Sequence, residues 1–90
     1  MRVATAIREK LTAALAPEIL EVIDDSHKHA GHAGARAEGE SHFSVRVVSA
    51  KFEGLNRVAR QRLVYGALKS ELETDIHALA IEAKTPAEVA

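Results

Sequence analysis

Up to Pro17 the apolar side chains fall at Val3, Ile7, Leu11, Ala14 and Leu15, one stripe with the 3.6-residue period of a helix. Arg8, Glu9 and Lys10 point elsewhere, and Pro17 ends the helix because it brings no amide hydrogen and restricts Ala16 before it. The next segment, Ile19 to Ser26, is short and branched and follows a proline directly. Leu20 and Val22 alternate there with Glu21 and Ile23, which predicts a strand. Lys28 to Ser41 has no period and holds Gly31, Gly34 and Gly39. It predicts a loop of about a dozen residues, a length that in a small domain tends to accompany function. From His42 to Ser49 the alternation returns, with Phe43, Val45 and Val47 on one face and Ser44 and Arg46 on the other.

Lys51 to Gly54 predicts a turn, and Asn56 can cap a helix because its side-chain oxygen accepts from an orphan amide of the first turn. In that helix Gln61, Val64, Tyr65, Leu68 and Leu72 share one face while Arg62, Lys69 and Glu73 share the other, and it is expected to end near Glu73–Asp75. Ala78 to Ala83 predicts a last strand, and residues 85–90 a short tail with a helix-like Thr-Pro start. The order is helix, strand, strand, helix, strand. A loop lets the first two strands pair antiparallel, and the second helix is the crossover that a parallel pair requires. The expected fold is α/β in the broad sense (α+β): a three-stranded mixed sheet with both helices on one face, residues 1–90 forming a single domain. Burying Phe43, Val45, Val47, Leu79, Ile81 and the helix stripes stabilises it by ~1.5–3 kcal/mol per large side chain.

Composition narrows the chemistry. The chain has 90 residues, 12 Lys+Arg against 13 Asp+Glu, and a formal net charge of -1. That balance disfavours binding to nucleic acid or acidic lipid through bulk charge, and three aromatic residues, Phe43, Phe52 and Tyr65, are too few for a base-stacking platform. With no Cys the chain has no disulfide, no thiol nucleophile and no thiolate ligand of its own. No apolar run approaches the ~18 residues of a membrane span. The opening segment reads as a folded helix rather than an export signal, so a cytoplasmic protein is the default expectation.

Four of the five histidines, His27, His29, His32 and His42, lie in the long loop or at its edges, and His77 stands at the start of the last strand. If the second and third strands are parallel neighbours, their starts share one end of the sheet, and all five imidazoles can converge there. The spacing His27-x-His29-x-x-His32 does not by itself select a metal; it fits a solvent loop rich in histidine equally well. His42, alternating with Phe43, belongs on the outward face in a structural or surface role. Asp24 and Asp25 point to opposite faces of a strand and do not form an acid–base pair. Ser26–His27 lacks a third, orienting group. Gly31-His32-Ala33-Gly34 has the spacing with which KH domains clamp nucleic-acid backbone between helices, but here it falls between strands. Arg57, Arg60 and Arg62 cluster on the N-terminal half of the second helix and read first as a solvated face. No nucleophile, phosphate loop or paired acid marks an enzyme.

The segments ILEVIDDSHKHAGH, GESHFSVRVVSAKFEGLNRVARQRLVYGAL and ELETDIHALAIEAKTPAE resemble the BolA family over nearly the whole chain. The most telling pieces are Ser41–Phe43, the Phe52-Glu53-Gly54 turn and Ile76-His77-Ala78-Leu79. The resemblance implies a fold similar to a class II KH domain and a monothiol glutaredoxin as partner, the chain alone being a monomer or weak homodimer. It implies a shared [2Fe–2S] cluster whose sulfur ligands come from the glutaredoxin cysteine and glutathione. The imidazole ligands carried over are His77, before Ala-Leu, and a loop histidine, best matched by His32 with His29 as runner-up. The family also includes transcriptional regulators, which implies as the alternative a DNA-binding protein acting through Arg57, Arg60 and Arg62. Where the family usually has Arg-His-Arg, this chain has Arg60-Gln61-Arg62, so a ligand or DNA role for that family histidine does not transfer.

Overall fold

The structure, a computed structural model, describes residues 2–25 and 41–90. Its elements are α1 (Arg2–Leu15), β1 (Ile19–Asp24), β2 (His42–Val48), a 3-10 turn (Ala50–Phe52), α2 (Arg57–Ala67), α3 (Lys69–Thr74), β3 (Ala78–Lys84) and α4 (Pro86–Val89). Along α1, Val3, Ala4, Ile7, Leu11 and Leu15 are buried, as the period requires. Ala14, at the margin of the stripe in the last turn, is exposed instead. The helix stops one residue before the Ala16–Pro17 pair. Ala16 sits at φ 43, in the left-handed region, and its amide still donates to Thr12 O at 3.0 Å.

The sheet has the order β1-β2-β3. β1 and β2 pair antiparallel and β2 and β3 parallel, with Val22 opposite Val45 and Val45 opposite Ile81. α1 and α2 cover one face. Ile7, Leu11, Phe43, Val45, Val47, Val64 and Leu68 form a buried cluster there, with Leu20, Val22, Leu79 and Ile81 packed against it. On the other face Arg46 bridges the three strands, bonding Glu82 at 2.7 Å and approaching Glu21 at 3.9 Å. Such exposed pairs contribute little to stability.

Three further expectations are corrected. The helix expected to run to Glu73–Asp75 breaks at Leu68, which leaves helical geometry (φ -107, ψ 19) while its amide donates to both Val64 O and Tyr65 O. Leu68 is fully buried, so core packing overrides the helical continuation there. Tyr65, placed by the period on the packed face, is 41% exposed. Phe52, expected only to make a turn, is fully buried. The 3-10 turn drops its ring into the core, and Gly54 at φ 79 then lets the chain leave in a conformation that a side chain disfavours. Asn56 caps α2 as expected, its Oδ1 accepting from Ala59 N at 2.8 Å. Residues 85–90 form a capped turn: Thr85 and Glu88 exchange side-chain and backbone bonds across α4.

Candidate functional site

Because β2 and β3 are parallel, both begin at one end of the sheet, and His42 pairs with Ala78. Ser41, the residue before β2, is fully buried. Its carbonyl accepts from the amides of His77 (2.7 Å) and Ala78 (3.3 Å), and its hydroxyl lies 2.9 Å from His42 Nδ1. Ile76 anchors the other side of His77: it is buried in the core, and its amide donates to Glu71 O at 2.8 Å. The backbone at His77 is thus held from both directions while its side chain stands in solvent. The half-buried ring of His42 stacks on that of His77, with centroids 6.1 Å apart and planes inclined by 24°. Asp25, just after β1, donates its amide to His42 O at 2.7 Å and accepts the Ser44 hydroxyl with its carboxylate. A shallow hollow of about 230 Å³ runs over Asp25, His42, Ser44 and Ala80.

A neutral imidazole on a fixed backbone is a good single donor for a borderline metal. Two imidazoles do not close a metal's coordination shell, and among the described residues no group of three or more His, Asp or Glu could hold an ion. This end of the sheet can contribute ligands to a centre that is completed from elsewhere. The loop candidates His27, His29 and His32 lie outside the described residues.

The basic cluster of α2 divides. Arg57 and Arg62 are exposed, but Arg60 turns inward. Its guanidinium donates to Leu55 O (2.9 Å), Ala83 O (3.1 Å) and Glu88 Oε1 (2.6 Å), and sits 6.0 Å over the Phe52 ring. The Arg60 bond, followed by the Thr85 amide, holds the Glu88 carboxyl down at about 2. Sequence reasoning missed this clamp. Its one visible sign was the spacing Thr85-Pro86-Ala87-Glu88, which fits a capping box.

These features define an α+β domain with a mixed three-stranded sheet, helices on one face, and a histidine pair where the parallel strands begin. The BolA-like protein family model matches residues 11–88, and the chain belongs to that family. It is 52% identical over 87 residues to Protein BOLA1, chloroplastic, of Arabidopsis thaliana, covering 94% of this chain and 54% of that one. It is 53% identical over 87 residues to the Arabidopsis SufE-like protein 1, chloroplastic/mitochondrial, covering 92% of this chain and 24% of that protein. The chain therefore spans about half of the first relative and about a quarter of the second. Among solved structures it resembles the BolA domain of SufE1 from Arabidopsis thaliana, with a TM-score of 0.85 and 50% identity over 94% of this chain and 93% of that one. The resemblance read from Ser41–Phe43, Phe52–Gly54 and Ile76–Leu79 is borne out. Among the described residues no helix is long and apolar enough to cross a membrane.

Proposed function

We propose that this chain is an adaptor that binds a monothiol glutaredoxin and completes a glutathione-ligated [2Fe–2S] cluster with histidine, for cluster trafficking, maturation or iron sensing in the cytoplasm. The observation that carries this reading is His77: an exposed imidazole on a backbone anchored by Ser41 O and Ile76, at the end of the sheet where β1 ends and β2 begins. The cluster is cargo held between molecules. A chain without Cys supplies no thiolate, so the sulfur donors come from the partner's cysteine and from glutathione. His77 supplies one imidazole from a rigid position, and His32, or His29 in its place, supplies a second from the loop. Exchanging thiolate for neutral imidazole removes negative charge from the cluster, raises its potential and makes ligation sensitive to pH. The match to a domain within a SufE-like protein supports an iron–sulfur setting.

Visible circular dichroism of the chain co-expressed with a monothiol glutaredoxin tests the reading. The mixed complex should give a spectrum distinct from that of the glutaredoxin alone. His77→Ala should abolish that difference, and His32→Ala should weaken it more than His29→Ala. An unchanged mixed spectrum with His77→Ala removes the assignment.

A further inference from the structure

At the far end of β3, roughly 20 Å from His77 by the rise of a strand, a groove of about 580 Å³ separates the strand from α2. Four consecutive residues, Ile81 to Lys84, line it, so it follows the outer edge of the strand rather than one face. β3 is the last strand of the sheet. Lys84 O accepts from Ser49 N at 3.0 Å and therefore points toward β2. Backbone groups alternate sides along a strand, so those of Ala83 and Ile81 point outward. Arg60 occupies one of them, Ala83 O. The Ala83 amide and both groups of Ile81 face the groove, an unpaired edge of the kind that accepts another strand.

We propose that this edge is a docking site for an extended, acidic segment of a partner protein, which adds a fourth strand beside β3. Charge selects the occupant. The groove's carboxylates are already neutralised, Glu82 by Arg46 and Glu88 by Arg60. Its two other cations, Arg57 and Lys84, have no ion-pair partner among the described residues. Leu55, Ile81 and Ala83 supply an apolar floor. Single-stranded nucleic acid fits less well. No aromatic ring lines the groove for base stacking. The site shares no residue with the histidine end, so it stands or falls separately from the cluster reading.

The test is an amide-resolved NMR titration of the chain with a capped octapeptide of alternating Glu and Val. Shifts should be confined to Ile81–Lys84 and the facing residues of α2. Arg57→Glu with Lys84→Glu, both at solvent-facing positions, should weaken binding about three- to tenfold while the remaining spectrum stays that of the folded chain. The same peptide N-methylated at every residue, which has no amide hydrogen to donate to the strand edge, should not bind. Equal binding of the N-methylated peptide or of a Lys–Val peptide overturns the proposal, as does no binding at millimolar peptide. Tighter binding of a short single-stranded DNA at the same amides overturns it in favour of nucleic acid. Concentration-dependent shifts of Ile81–Lys84 without peptide assign the edge to a second copy of the chain.

Discussion

Where β2 and β3 begin, a buried serine fixes the backbone and leaves the His77 imidazole in solvent; where they end, Ser49 and Arg60 spend their polar groups on holding the fold. At the first end the bonds from Ser41 O to His77 and Ala78 secure main chain only. At the second, Ser49 Oγ donates to Leu15 O at 2.6 Å and accepts from Lys51 N at 3.1 Å, tying α1 to the turn after β2. Arg60 ties α2 to β3 and α4 across the Phe52 ring. At His77 the anchoring bonds are made by backbone, which leaves its imidazole exposed, while the His42 ring is engaged by the Ser41 hydroxyl. Side chains that close a small core can be fully committed. The same charge type therefore reads differently by position: Arg60 is a clamp, whereas Arg57 and Arg62, on the same helix, are exposed.

Substitutions at the two ends should separate these roles. The largest effect is expected from Phe52→Ala, which empties the centre of the clamp end and should cost ~3–5 kcal/mol, measured by urea unfolding. Ser49→Ala leaves Leu15 O and Lys51 N without their buried partner and should cost ~1–3 kcal/mol by the same measurement. Ala16→Gly relieves the left-handed strain at the end of α1. Because glycine also loosens the unfolded chain, the net gain should be ~0.5–1 kcal/mol, seen as a higher Tm. His77→Ala should change stability by less than ~0.5 kcal/mol. A cost comparable to that of Ser49→Ala would erase the distinction between the ends.

The most local effect is acid loosening of α4. The Glu88 carboxyl lies at about 2 instead of 4.5 because Arg60 and the Thr85 amide favour its ionised form. Its contribution is complete above about pH 4.5 and is lost as the pH falls toward 2. Glu88 is partly exposed, so salt should blunt the effect. The amide shifts of Thr85 and Glu88, followed by NMR through an acid titration, report it, and Arg60→Gln should return Glu88 toward the ordinary carboxylate range.

Much of the fold was legible because its elements repeat locally. The α1 stripe, the alternation in β2 and the Asn56 cap are properties of neighbouring residues, and the long loop and the crossover helix fix antiparallel and parallel pairing. The meeting of His42 and His77 followed from that topology, since parallel neighbours begin together. Phe52 was not legible. A lone aromatic in a turn has no period to betray its burial, and only the 3-10 geometry carries it inward. The break at Leu68 and the exposure of Tyr65 escaped for the same reason: a helical wheel assumes a straight helix over an even core.

By itself the amino-acid sequence determined the element order, the mixed sheet, the family, and the absence of thiolates, so that any sulfur ligand of a shared centre would have to come from outside this chain. Those are consequences of chain-local periodicity, connection length and composition. The tertiary structure alone decided that Arg60 is spent on Leu55, Ala83 and Glu88, that Phe52 belongs to the core, and that the outer edge of β3 faces a groove. Each of these depends on residues distant in the chain arriving at one place, and local spacing carries no record of that arrival.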